Sequence, residues 1–361
     1  MTNPTPTQQS TDIRTTESAL ANFCHAVLLA SGADEATAEA GTRAMLHASR
    51  IGVDSHGVRL LPHYLRVIEG GRVNGRATPT VARSVGATAL VDGDDGLGAL
   101  VTYFAMDKAM ELARTHGIGA VGIRRSSHFA AAGAYALHAA EAGLIGLCTG
   151  NSDSIVRLHE GARGFHGTNP IAIGVPVGGE RPWLFDMATS AVPFNRVHLY
   201  RSLGIELPPE VASDAAGNPT TDAAAAAMLA PLGGAFGYKG AGLAGLAEIL
   251  STALTGMRIG VELLPMGGPD ISTPRGLGAF VLAVNPSAFV ERSGFDDTMR
   301  RYVRAVRAGP AVEGGKVMAP GDREWAEAER RRQSGIPLDP ETLAAFRSIA
   351  ARYQVALPGA E

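Results

Sequence analysis

Between Ile118 and Asp153 the sequence changes character twice, and this restricts the folds open to the chain. Ile118 to Ile123 is a short apolar run punctuated by Gly117 and Arg124, which reads as a buried strand. Ala130 to Ala142 is nearly continuous in helix formers and stops at Gly143, and Leu144 to Cys148 is again apolar and strand-like. Strand, helix and strand in this order make a parallel, right-handed crossover, and open α/β sheets bind ligands outside the carboxyl ends of their strands. A polar corner lies at each such end: Gly122-Ile-Arg-Arg-Ser-Ser-His128-Phe129 after the first strand and Thr149-Gly-Asn-Ser152-Asp153 after the second. His128 and Ser152 are therefore candidate site residues, although a lone histidine can equally cap or pack its loop.

With 361 residues, 45% of them hydrophobic and 19% charged, the chain has material for a full core, as two lobes or one large α/β domain. A net charge of -3 argues against a nucleic-acid partner. Cys24 and Cys148 each sit in an apolar stretch, which suits buried thiols in a reducing cytosol, and no spacing suits zinc. Met1 to Asp12 lacks the basic and apolar regions of a signal peptide, and no apolar run reaches membrane-spanning length. The expectation is a cytoplasmic protein without membrane attachment, with a disordered tail over residues 1–12.

Ahead of the central unit, helical spacing runs from Thr15 to Leu29 and from Asp34 to His47. A polar turn, Arg50 to Arg59, then brings in Ser55-His56; Val53 stands two residues before Ser55, so the Gly-x-Ser-x-Gly elbow of a serine hydrolase is missing. Ala87 to Val91 reads as a strand and Leu100 to Arg114 as a helix. Later, Gly167-Thr-Asn-Pro170 leads into the apolar run Ile171 to Val177, and the strand Trp183 to Phe185 runs into Asp186-Met-Ala-Thr-Ser190. Asp186 either caps a helix starting near Ala188 or orients a catalytic histidine.

Pro208 to Thr221 reads as a polar loop, followed by a glycine-rich segment from Gly233 to Gly245 that opens a helix reaching about Thr255. Backbone N–H groups at a helix start, with Lys239 beside them, would make an anion site; the alternative is that these glycines serve helix packing. Gly240-x-Gly242-x-x-Gly245 matches the dinucleotide fingerprint, but no strand leads into it, so it is not read as a Rossmann turn. A strand at Phe280 to Val284 and helices at Asp296–Arg307, Arg323–Arg332 and Pro340–Arg352 complete the chain.

Taken together, Asp54-Ser-His-Gly57 with Leu61-Pro62 and Tyr64, Ser127-His-Phe129, Gly167-Thr-Asn-Pro170, Asp186-Met-Ala-Thr-Ser190, Gly237-Tyr-Lys-Gly240 and Pro320-Gly321 resemble the type-2 malate/L-lactate dehydrogenase family. The resemblance runs from about Thr15 to Glu327. It implies a mixed-sheet α/β core of the L-sulfolactate dehydrogenase type, unrelated to the Rossmann fold, with a helical subdomain built from both chain ends. The implied boundaries are residues 13–80 and 287–361 for the helices and 81–286 for the nucleotide-binding and catalytic domain. It further implies a homodimer that transfers hydride between NAD or NADP and C2 of a small 2-oxo acid. The alternatives are a cyclic imine reductase, since some members reduce piperideine or pyrroline carboxylate, and a degenerate nucleotide-binding homologue.

By the same resemblance His56 and His128 are acid/base candidates, Asp186 supports His56, and Ser55, Tyr64 and Arg59 face the substrate. Cofactor contacts fall on Ser152, Asp186, Met187, Ala188, Lys239, Gly240, Pro320 and Gly321. The chemistry is consistent, because hydride addition to a ketone leaves an alkoxide that a histidine can protonate. Four positions depart from the family pattern: Leu60 for the usual arginine, with Arg59 one place earlier; Pro193-Phe-Asn-Arg196 for Ala-x-Gly-Lys; Ala130 for glycine; and Ala235-Phe236 as an insertion. One residue turns a helical side chain by about 100°, so Arg59 is a poor replacement anchor for a substrate carboxylate.

Overall fold

The computed structural model describes residues 13–359, so the expected tail lies outside the described residues. Strand β1 (Ile13–Thr15) precedes helices α1 (Glu17–Ala30) and α2 (Glu35–Arg50). Both helices start at a capping oxygen: Thr16 Oγ1 accepts from Ala19 N, and Asp34 Oδ1 from Thr37 N at 2.9 Å. Two short 3₁₀ turns, Asp54–His56 and Val58–Leu60, lead into α3 (Leu61–Glu69). Then come β2 (Thr80–Val85), β3 (Thr88–Asp92), α4 (Gly98–His116), β4 (Ile118–Ser126), α5 (Gly133–Glu141) and β5 (Ile145–Gly150).

Short strands β6 (Val156–Arg157) and β7 (Gly164–His166) are followed by β8 (Ile171–Val175), β9 (Trp183–Met187) and α6 (Phe194–Leu203). The chain continues through β10 (Ala212–Ser213), β11 (Met228–Leu229), α7 (Tyr238–Ser251) and β12 (Leu277–Val284). It closes with α8 (Arg292–Arg307), α9 (Asp322–Ser334), β13 (Ile336–Leu338) and α10 (Pro340–Tyr353).

Seven strands form a mixed sheet in the order β2-β3-β4-β12-β5-β8-β9. Only β3 and β4 are parallel neighbours; every other adjacent pair is antiparallel. The expected crossover from β4 through α5 to β5 does return in the same direction, but it straddles β12, which runs antiparallel to both. Val281 faces Val121 on one side and Cys148 on the other. β12 is apolar at nearly every position, as a strand covered on both faces must be.

Three details differ from the sequence reading. α5 starts at Gly133 because Ala130 has φ 63°, a left-handed conformation no right-handed helix contains. No helix begins near Ala188: β9 carries Asp186 itself, and α6 begins only at Phe194. A second sheet, β10-β11-β6-β7, was not anticipated, because strands of two or three residues have no period to read. It has its own apolar cluster, including Val156, Val197, Leu207 and Leu229.

The main core joins Phe23, Met45, Tyr64, Met106, Tyr135, Val281 and Phe346, so helices from both chain ends share it with the sheet. β1 pairs antiparallel with β13, Ile13 opposite Leu338, and the Phe23 and Phe346 rings lie 4.9 Å apart. Burying one such phenylalanine contributes about 2–3 kcal/mol. Cys24 and Cys148 are free and buried, and burial pushes the Cys24 thiol up to about 12. Among the described residues no helix is long and apolar enough to cross a membrane.

Candidate active site

The 3₁₀ turn Asp54–His56 is fastened at three points. Val58 N donates to Ser49 Oγ at 3.0 Å, and Gly57 packs so closely on Ser49 that a Cβ there would lie 2.2 Å from that oxygen. Asp54 takes Arg331 Nη1 and Nη2 at 2.5 and 2.8 Å, a forked ion pair reaching across from α9. Arg331 is 7% exposed, and it also donates to Ser49 O and to Glu327. On the turn so held, Ser55 Oγ and His56 Nδ1 are 2.9 Å apart.

His128, just past the end of β4, stacks on His56 with ring centroids 5.9 Å apart and planes at 23°. Its Nδ1 lies 2.9 Å from the Tyr64 hydroxyl and accepts from Ala130 N at 3.4 Å. With Nδ1 unprotonated the neutral ring carries its proton on Nε2; with Nδ1–H donated to the Tyr64 oxygen, Nε2 is bare and can take a proton. When the ring takes a second proton, the Tyr64 oxygen can accept from Nδ1–H, since a hydroxyl serves either way. Burial pushes both histidines below their ordinary value, His128 furthest, with His56, His63 and Arg275 adding repulsion. Two stacked imidazoles do not both hold a charge at neutral pH.

Ser152, Asp186, Met187 and Ala188 lie at or just past the carboxyl ends of β5 and β9. Ser152 Oγ accepts from Thr168 N at 3.0 Å, Thr189 N donates to Thr168 O, and Leu232 N donates to Thr189 O. Asn169 joins the same web, donating to Ala244 O and Glu248 Oε2 on α7. Pro320 O accepts from Leu184 N on β9, which places Pro320 and Gly321 beside the strand that bears Asp186 and Met187 and leads into Ala188. Asp186 accepts from Gly133 N at 2.7 Å, at the first residue of α5. Its carboxylate is open to the cleft, yet the protein crowded around it pushes its pKa up to about 6 against that donation.

The first turn of α7 has no side-chain cap, and among the described residues Lys239 has no carboxylate partner; its ammonium lies 5.3 Å from the centre of the Phe236 ring. Free N–H groups beside a free lysine are the donor set a cofactor diphosphate requires. Gly240 lies inside α7, where a Cβ would meet Leu232 O at 2.1 Å, so that glycine serves close packing and is not part of a turn.

Two expected roles are not met. Arg59 points away from the histidines and pairs with Glu341 and Asp339 at the start of α10, the consequence of its one-residue offset from Leu60. Asp186 does not bond His56; it reaches α5, and among the described residues Ser55 is the one side chain hydrogen-bonded to His56. Sequence reasoning also missed residues. His63, Arg72 and Arg275 line one cavity with Tyr64, Ser127 and His128. An arginine after a Gly-Gly turn and another in a Pro/Gly loop look like solvated surface, so nothing local marks them as buried.

The family model described as malate/L-lactate dehydrogenase matches residues 15–347. The chain belongs to this family. A malate dehydrogenase of Pyrococcus abyssi is 33% identical over 353 residues, covering 95% of this chain and 96% of the relative. A Δ1-pyrroline-2-carboxylate/Δ1-piperideine-2-carboxylate reductase of Pseudomonas putida is 32% identical, covering 94% of this chain and 98% of its own. The solved sulfolactate dehydrogenase of Methanocaldococcus jannaschii superimposes with a TM-score of 0.89 at 27% identity, over 96% of this chain and 98% of that one. The chain is thus a nicotinamide-dependent dehydrogenase of the family's mixed-sheet fold, acting on hydroxy acids at CH–OH.

Proposed function

We propose that this enzyme interconverts a small 2-hydroxy acid and its 2-oxo acid, with His128 moving the proton. The observation that carries the reading is the pairing of His128 Nδ1 with Tyr64, which fixes the ring and leaves Nε2 for the substrate oxygen. The nicotinamide cofactor, when bound, supplies or accepts the hydride. The chain's own part is to hold it and to move the proton. Lys239 and the start of α7 would hold the diphosphate, and Ser152, Met187, Ala188, Pro320 and Gly321 would face the rest of the cofactor.

In reduction, hydride brings its electron pair to C2 and the carbonyl oxygen becomes an alkoxide. Protonated His128 gives that oxygen its Nε2 proton and keeps Nδ1–H on Tyr64. Oxidation runs the reverse: the neutral ring, with its own proton on Nδ1 against Tyr64, takes the hydroxyl proton at Nε2 as hydride leaves C2. His56 stacks behind and keeps the pair at a single charge.

A second reading, reduction of a cyclic imine, is favoured by one observation: Leu60 stands where the family anchors a linear 2-oxo acid with arginine, and it packs against the core. The same His128 would protonate the imine nitrogen. Absorbance loss of NADH and of NADPH, over a panel of 2-oxo acids and cyclic imines, decides both substrate class and cofactor. His128→Asn should lower turnover roughly 10²- to 10⁴-fold; a near-normal rate removes His128 from the mechanism.

The working form is a homodimer in the cytoplasm. α7 leaves Leu243, Leu246 and Ile249 open, the last 57% exposed, and Leu254 just beyond it is 59% exposed. Such an apolar stripe calls for a second protein surface. Light scattering at the monomer mass would overturn this.

A further inference from the structure

With Leu60 apolar and Arg59 committed to α10, the carboxylate of a 2-oxo acid needs another cation. The cavity beside His128 supplies two. Arg72 is 3% and Arg275 6% exposed, and both line that cavity with His63, Tyr64, Ser127 and His128.

Their charges do not balance. Arg275 donates from Nε to Leu264 O at 2.6 Å and from Nη2 to Asp153, whose other oxygen accepts from Met266 N at 2.8 Å. Among the described residues Arg275 Nη1 has no partner. Arg72 meets only carbonyls: Nη1 donates to Pro265 O and Met266 O at 3.2 and 3.3 Å, and Nη2 to Asp270 O. Among the described residues its buried Nε has no hydrogen-bond partner. A buried guanidinium without a counter-ion is strongly unfavourable, and natural proteins pair such charges.

We propose that Arg72 and Arg275 form the receptor for the substrate's carboxylate, the group adjacent to the carbon that exchanges hydride. The proposal rests on the 2-hydroxy acid reading and replaces the missing family anchor with two arginines from either side of the cavity. An anion between them would supply the absent negative charge and meet the unused donors. It would also offset the repulsion that Arg275 adds to burial in lowering both His128 and His63. The free space is about 10 Å³, room for one water-sized group, so a carboxylate would have to take the place of the Pro265, Met266 and Asp270 carbonyls on Arg72.

The test uses the full chain as wild type, Arg72→Gln and Arg275→Lys, with oxamate as an unreactive 2-oxo acid mimic in the presence of NADH or NADPH. Oxamate should raise the melting temperature of wild type, and the shift should vanish in Arg72→Gln while its ligand-free melt is retained. For the best 2-oxo acid of the panel, KM should rise about 10- to 100-fold with kcat within a few-fold, the loss expected for a charged hydrogen bond. Preference for the acid over its methyl ester should fall by the same factor.

Arg275→Lys keeps the charge but not the fork, so it should retain part of each effect. If Arg72→Gln does not fold, Arg275→Lys decides, and an unchanged oxamate shift together with an unchanged KM there overturns the proposal. An oxamate shift equal in wild type and Arg72→Gln, or absent from wild type, also overturns it. The functional reading fails differently: a wild type that binds oxamate through Arg72 yet turns over no 2-oxo acid keeps its anion receptor and loses its assigned reaction.

Discussion

Arg331, on the penultimate helix, grips Asp54 with both terminal nitrogens and so holds the turn that presents Ser55 and His56. The guanidinium is buried while the Asp54 side chain is 48% exposed, so the arginine bears most of the desolvation. Arg331→Met should cost about 1–3 kcal/mol of stability, the range for a lost charged hydrogen bond. It should also lower kcat about 10- to 100-fold through misplacement of the turn, with affinity for NADH or NADPH kept. Arg331→Lys should recover part of the rate; a variant with unchanged kcat would show that the turn holds itself.

Tyr64→Phe removes the hydroxyl that receives Nδ1–H from protonated His128. Losing a hydrogen bond to the charged form disfavours that form. Turnover should therefore drop about 10- to 100-fold, and the pKa seen in the rate profile should move lower. A rate loss with no movement of the profile would assign Tyr64 to packing alone.

Burial first, then His56, His63 and Arg275, hold His128 well below the ordinary histidine value. Oxidation needs the neutral ring, so its kcat/KM should rise with pH through a limb below about 6.5 and stay flat above it. Reduction needs the charged ring, so its kcat/KM should already be falling as pH rises through the same limb. A limb at or above 6.5 would be incompatible with this buried ring. Stability carries the same sign: His47 is lowered to about 3 and His63 to about 4, so the unfolded chain takes up more protons in acid. That stability is present above about pH 6.5 and is lost as pH falls towards those values, which melting curves across the interval would record.

Lys239→Ala should weaken nicotinamide cofactor binding by about 10-fold or more, with little change in the ligand-free melt, because among the described residues its ammonium has no carboxylate partner and lies over the Phe236 and Tyr238 rings. Fluorescence titration with NADH and NADPH reads it directly. Unchanged affinity for both would remove the start of α7 as the diphosphate site.

What the sequence disclosed was whatever had a local signature. His128 and Ser152 were placed at strand ends by the pattern around them, and His56, Tyr64 and Lys239 by motif order. Ala130 was recognised as out of pattern, and φ 63° gives the reason glycine is usual there. The misses all depend on distant partners. Nothing near Asp186 indicates that its carboxylate meets Gly133, nothing near Arg331 indicates Asp54, and nothing near Arg72 indicates burial among carbonyls from residues 265–270. β12 was visible as a strand, but its place between β4 and β5 is a property of topology, which apolar patterning does not encode.

That placement bears on how the molecule is made. β4 and β5 leave the ribosome long before β12, yet neither can complete its hydrogen bonding on that side without it, as Cys148 waits for Val281. Until then the nascent sheet has a gap one strand wide, bordered by two unpaired apolar edges of the kind that recruit foreign strands. Synthesis that stalls before Leu277 would leave a sticky intermediate, and the slow step of refolding should be the threading of this late strand into a slot already formed.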